Sequence, residues 1–203
     1  FYGTLDHPLK VQPDLVRDRD ELSTSSEAYT RRRWDFFLPS GSVSRMKGTV
    51  CKDPTPLDRH HDDHKVVCRT SQLRRSDCTV YSIGSSSEFD FENAICKTYP
   101  NCTVHTFDCT SGPPRREATD RVTKIAYGHY QRGQLRFHKI CIGTASPTTQ
   151  FGPFQQLGDV MNQLGHTELS LMKLDAEGFE WEILPMMLES SSQLLPKQIL
   201  LEL

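Results

Sequence analysis

From Cys78 to its last residue the chain alternates short β-rich runs with stretches of helical periodicity. That alternation limits the fold more than any other feature. "CTVYSIG" (78–84) is an apolar run that ends at a glycine. "SSSEFDFENAICKTY" (85–99) then places Phe91, Ala94, Ile95 and Thr98 on one helical face. Ser85 with Glu88 three positions later matches a capping box, so the helix is expected to start there. "TVHTFD" (103–108) reads as a second strand, and a helix over about 118–131 carries Val122, Ile125, Ala126 and His129 on one side. "QLRFHKICIG" (134–143) is a third strand, and Phe154, Leu157, Val160, Met161 and Leu164 mark another helix. "LSLMKLD" (169–175) is a fourth strand, a helix follows from about 180, and "QILLEL" (198–203) begins a fifth. This order implies an α/β fold, a mostly parallel sheet with helices on both faces. Right-handed crossovers put every strand's carboxyl end on one rim, and ligands bind there, where the strand order reverses.

Residues 1–77 differ from the rest. They hold Pro8, Pro13, Pro39, Pro54 and Pro56, the run Arg31-Arg32-Arg33 and "RHHDDH" at 59–64. The expected organisation is therefore a loop-rich arm over 1–77, with short helical pieces around 14–37, and a second domain over 78–203. The spacing of His60, His61 and His64 is superficially metal-like, but nothing periodic surrounds it to fix a geometry, so a solvated loop is the reading. Of the seven cysteines, Cys51, Cys68 and Cys78 cluster ahead of the first regular strand. At least two of these three are expected to pair and staple the arm. No CxxC pair is present, which argues against a zinc ribbon. The cysteines, with the glycosylation-type triplet "NCT" at Asn101, point to the secretory pathway, Golgi or secreted, over the cytoplasm. The chain opens on Phe1 and closes on what reads as a strand cut mid-course, so it is taken as a fragment. That leaves room for a signal peptide or membrane anchor upstream. A net charge of −2 points away from nucleic acid and from acidic membrane surfaces.

Four rim segments are suspects: "SIGSSSE", "FDCT", "CIGT" and "LDAEGFE". A glycine turn after strand one and an acid after strand two, Asp108 standing 24 residues beyond Gly84, suit the ribose of either of two cofactor classes. Charge separates them. A dinucleotide rests its pyrophosphate on the helix N-terminus. Here Glu88, Asp90 and Glu92 crowd that turn, and the second and third glycines of GxGxxG are absent. S-adenosylmethionine carries no phosphate and has a cationic sulfonium, so an acidic rim suits it better.

"VYSIGSSSEFDFE", "VHTFDCT" and "LMKLDAEGFEWEIL" together resemble the motif blocks of FkbM-type methyltransferases, most closely the animal group that includes methyltransferase-like protein 24. The resemblance covers about 78–203, and "WDFFLPS" (34–40) looks like that group's upstream arm. It implies a class I methyltransferase fold and S-adenosylmethionine-dependent methyl transfer, usually to oxygen. By position it implies that Gly84, Ser85 and Ser86 line the methionine end of the cofactor, with Glu88 where that loop often has another glycine. It further implies that Asp108, followed by Cys109, holds the ribose, and that Cys141, Ile142 and Gly143 flank the adenine. Ser82 stands where many class I enzymes place an acid.

Asp175 ends the fourth strand, between cofactor and acceptor by the same resemblance, and Glu177 follows on the turn. Methyl transfer to a hydroxyl needs the acceptor oxygen oriented and its proton removed, work for Asp175 or Glu177 as carboxylates. The pair could alternatively ligate a divalent cation. Glu180 reads as structural, Lys173 as paired with a neighbouring acid, Trp181 as core packing, and Pro185 as delaying the regular helix or kinking it. The expected function is an O-methyltransferase acting on a small molecule or glycan. The alternative is a non-catalytic domain that keeps the fold for binding or scaffolding.

Overall fold

The computed structural model describes residues 53–57, 65–144, 154–189 and 195–201. The helical pieces expected at 14–37, the "WDFFLPS" and "RHHDDH" segments and Cys51 lie outside the described residues. Two short strands, β1 (Pro54–Pro56) and β2 (Val66–Cys68), pair antiparallel, and a 3-10 turn at Gln72–Arg74 leads into the alternating region. There follow β3 (Thr79–Ile83), α1 (Asp90–Thr98), β4 (Thr103–Phe107), α2 (Arg121–Gln131), β5 (Leu135–His138), β6 (Cys141–Ile142) and β7 (Phe154–Gln155). The last elements are α3 (Leu157–Leu164), β8 (Leu171–Leu174), α4 (Glu180–Glu189) and β9 (Ile199–Leu201).

Five strands form one parallel sheet in the order β5-β4-β3-β8-β9. The chain winds outward from β3 to β5, then returns to β3's other side with β8 and β9. The switch point therefore falls between β3 and β8. Alternation along the strands splits the core in two. Val80, Val104, Leu135 and Leu171 pack with Phe91 and Ile95 of α1 and Ala126 of α2. On the other face Tyr81, Phe107, Met172 and Leu174 pack with Leu157 and Met161 of α3 and Ile183 and Met187 of α4. Among the described residues no helix is long and apolar enough to cross a membrane.

Several local expectations need correction. Helix α1 begins at Asp90, five residues after Ser85. Ser86 and Ser87 sit at φ 49° and 67°, which a helix cannot contain, and the Ser85 hydroxyl turns to Asp108 instead of capping. The expected third strand is two pieces: Lys139 and Ile140 leave the main sheet, and β6 pairs with β7 in a separate parallel ribbon. Phe154 belongs to that ribbon and not to a helix. Ile125 is on the open side of α2. Trp181 is 63% exposed, because Ile183 and Met187 form the buried face of α4. Pro185 does lie inside α4.

Cys78 pairs with Cys102, so it staples the start of β3 to the start of β4, not to Cys51 or Cys68. Cys68 is also disulfide-bonded. A further disulfide, Cys109–Cys141, joins the end of β4 to the start of β6 at the rim. Cys96 is a free buried thiol whose pKa is pushed up to about 12, by burial first and then by the Glu92 carboxylate.

Candidate functional site at the rim of the sheet

The backbone ladder continues one residue past the strands and fixes the rim. Gly84 N–H donates to the Phe107 carbonyl (3.0 Å), Asp108 N–H to that of His138 (3.1 Å), and Asp175 N–H to that of Ile83 (3.1 Å). Gly84 is obligatory twice over. Its φ is 78°, and a Cβ there would lie 1.7 Å from the Asp175 carbonyl oxygen. The loop after β3 and the loop after β8 therefore touch backbone to backbone.

Asp108 braces the site. Its Oδ2 accepts from Ser86 N–H (2.7 Å), Ser85 N–H (3.0 Å) and the Ser85 hydroxyl (3.2 Å). Its Oδ1 accepts from Thr110 N–H, the Thr110 hydroxyl and Ser111 N–H, all at 2.8 Å. Burial alone would raise its pKa, but hydrogen bonds from Ser111, Thr110 and Ser86 outweigh that and hold the carboxyl well below the usual range. The strained φ of Ser86 is thus held in place by a carboxylate from the neighbouring strand.

Across the switch point Lys173 does similar work. It is buried at the end of β8, donates to the Gly84 carbonyl, and pairs with Asp175 Oδ2 at 2.7 Å. Lys173, Ser82 and Thr106 are register neighbours on the α1 face of the sheet. Glu92 of α1 meets this row and accepts from the Thr106 hydroxyl at 3.3 Å. Burial drives the Glu92 pKa up, with the charge of Lys173 acting against it. After β8, Glu177 (φ 51°) and Gly178 (φ 102°) make the turn. Glu180 holds it closed, accepting from the N–H groups of Ala176 and Gly178 (2.8 Å to the latter). That is the structural role expected of Glu180.

These loops surround a cavity of about 530 Å³. Gly84, Ser85, Ser86 and Glu88 line one side, and Asp108, Cys109, Cys141 and Ile142 another. Asp175 and Glu177 line a third. Of the sequence-derived candidates only Gly143 is not part of the lining. It is buried beneath Phe154, whose ring would lie 2.7 Å from a Cβ at that position. Sequence reasoning missed several lining residues: Lys173 itself, the stacked pair Phe154 and Phe179 (5.2 Å between ring centroids), and Leu57 and Lys65 flanking the β1–β2 pair. An arm-side residue near the rim carries no sequence signal. Lys173 did carry one, as a lone cation in an apolar run. The lining carries five carboxylates, Glu88, Asp90, Asp108, Asp175 and Glu177, against the two ammonium groups of Lys65 and Lys173. Such a site favours a cationic ligand and repels a pyrophosphate.

Comparison with known proteins agrees with this geometry. A family profile described as a methyltransferase domain matches residues 35–203. The chain is 24% identical over 170 residues to the human protein named "Probable methyltransferase-like protein 24", covering 80% of this chain and 39% of that one. It is 26% identical over 113 residues to the rat protein of the same name, covering 56% of this chain and 29% of that one. The chain thus spans well under half the length of either relative. No solved structure matches it at a significant level. The five-stranded parallel sheet, the glycine turn at its switch point and the extent of the family match lead to one conclusion: this chain belongs to a methyltransferase-domain family.

Proposed function

We propose that the protein is an S-adenosylmethionine-dependent methyltransferase acting on a hydroxyl oxygen of a small molecule or glycan. The observation that carries this reading is the acidic cavity at the switch point, walled by the Gly84 loop on one side and Asp175 on the other. Bound there, the cofactor would supply an electrophilic methyl group on a cationic sulfur. Gly84, Ser85 and Ser86 would hold its amino-acid end, and Cys141 with Ile142 its base. Asp175 would orient the acceptor hydroxyl and take its proton. Its Oδ2 is engaged by Lys173, which leaves Oδ1 for that work. The same ammonium, 2.7 Å away, disfavours a divalent cation at Asp175. Glu177 is exposed on the turn beyond and suits contact with the acceptor. The disulfides fit an oxidising compartment, and the secretory pathway is our proposed location. The proposed partners are small molecules or glycans, not nucleic acid.

One observation favours a second reading, a binding domain without catalysis. Asp108 takes six protein donors, more than the lone-pair directions its two oxygens offer, so a ribose hydroxyl would have to displace one of them. Titration calorimetry of the full chain with S-adenosylmethionine, S-adenosylhomocysteine and NAD tests the cofactor site that the methyltransferase reading requires. The methyltransferase reading expects heat with the first two and none with NAD. A folded, oxidised protein that binds neither adenosyl compound sinks it.

A further inference from the structure

The sequence contains one Asn-x-Ser/Thr triplet, Asn101-Cys102-Thr103. Its place in the fold is at the end of the sheet opposite the cavity. Tyr99 to Cys102 form a tight turn closed by Cys102 N–H donating to the Tyr99 carbonyl at 2.9 Å. Pro100 and Asn101 are exposed at the tip, whereas Cys102 turns inward to its disulfide with Cys78 and is 1% exposed. The middle residue of the triplet is thus buried and oxidised while the acceptor residue is exposed. That is the arrangement a folded domain needs to carry a sugar chain at its surface.

From this arrangement we infer that Asn101 is an N-glycosylation site. Transfer forms a bond from Asn101 Nδ2 to the sugar C1 as the C1–O bond of a polyprenyl-diphosphate-linked oligosaccharide breaks, and the amide gives up one proton. Nδ2 keeps its other hydrogen. Its contact with the Arg74 carbonyl, at 3.4 Å, is therefore compatible with the modification. Strand β4 separates Asn101 from Asp108 by roughly 20 Å at ~3.3 Å per residue. The glycan shields the lower edge of the sheet, where β3 and β4 begin, and leaves the mouth of the cavity clear. This inference uses the oxidised cysteines and does not depend on which cofactor the cavity holds.

The test is secretion of the full chain from cultured animal cells, peptide N-glycosidase F treatment, and peptide mapping without reduction. The expected result is a gain in gel mobility on treatment and conversion of Asn101 to aspartate in the mapped peptide. Asn101→Gln and Thr103→Ala should each abolish the shift, and Thr103→Ser should retain it. Secreted protein with the Cys78–Cys102 bond formed and Asn101 unmodified overturns the inference. So does a mobility shift that survives Asn101→Gln. Calorimetry on the Asn101→Gln protein separates this question from the catalytic one, because adenosyl-compound binding should be unchanged.

Discussion

Six donors on one carboxylate make Asp108 the residue with most to lose from a small change. Asp108→Asn turns one acceptor oxygen into an N–H donor and points it at backbone N–H groups that have no other partner. The expected loss is about 2–4 kcal/mol of unfolding free energy in urea, the scale for buried donors left unpaired beside a lost charge. S-adenosylhomocysteine affinity should fall at least tenfold. Ser85→Ala removes only the longest of the six bonds and should cost under about 1 kcal/mol. Equal effects from the two substitutions would remove Asp108 from its role as brace. Lys173→Met keeps the stem and deletes the charge, leaving Asp175 and the Gly84 carbonyl without their partner. Breaking a fully buried pair costs about 3–5 kcal/mol, and the expected figure here is nearer 2 because Asp175 remains partly in water. Asp175→Leu in the Lys173→Met background should recover part of it, and no recovery would mean the pair is not coupled. At this scale the sequence located the rim, since a glycine and two aspartates each end an apolar run. It did not reveal that Asp108 faces its own loops, because six convergent donors arise only from tertiary placement.

The elements follow from the sequence where periodicity is strong and fail where a tertiary partner competes. Strands β3, β4 and β8 were legible as apolar runs of four or five residues ending at Gly84, Asp108 and Asp175. The start of α1 was misplaced because the signature of Ser85 and Glu88 looked local, while Ser85 had a stronger acceptor in Asp108. The β6–β7 ribbon was illegible because two-residue strands carry no period. Trp181 was misplaced because an aromatic in the first turn of a predicted helix says nothing about which side of α4 it takes. One element-level feature predicts behaviour. On the α3 face of the sheet the His138 ring stacks on those of His105 and Phe107, Tyr81 tilts against both, and His166 after α3 meets His105 edge-on at 4.6 Å between ring centroids. His105 Nδ1 lies 3.0 Å from His138 Nε2, and the Tyr81 hydroxyl 2.6 Å from His166 Nδ1. Burial first, then the charges of His166, His138 and Arg136, lower the His105 pKa to about 3, and His138 and His166 are lowered too. A histidine held neutral in the fold takes up its proton only in the unfolded chain. Its contribution is therefore complete above about pH 6.5 and declines on acidification towards pH 3. His105 alone should give a slope of about 1.4 kcal/mol per pH unit in that window. Urea titrations from pH 7 to 4 should show a shallower decline in His105→Gln, and an identical slope would place the acid sensitivity elsewhere.

At the scale of the molecule, disulfides mark both ends of the sheet: Cys78–Cys102 below and Cys109–Cys141 at the rim. They span 24 and 32 residues, so each should contribute roughly 3 kcal/mol by restricting the unfolded chain. Their functional effects should differ. Cys109→Ser with Cys141→Ser should lower both the melting temperature and adenosyl-compound affinity, because that bond lines the cavity. Cys78→Ser with Cys102→Ser should lower the melting temperature alone. Equal affinity losses from both pairs would mean that the rim disulfide has no special part in the site. The order of the strands has a further consequence, for the order of assembly. Val80 pairs with Val104, 24 residues away, on one side and with Leu171, 91 residues away, on the other. Loop-closure entropy favours the nearer pairing, so β3, β4 and β5 are expected to join first and β8 with β9 to dock later. Gly84 and Asp175 come from opposite sides of that late seam. A chain with its first half folded would own the Asp108 brace but no binding cavity, so ligand would grip only the finished molecule and act by slowing the seam's reopening.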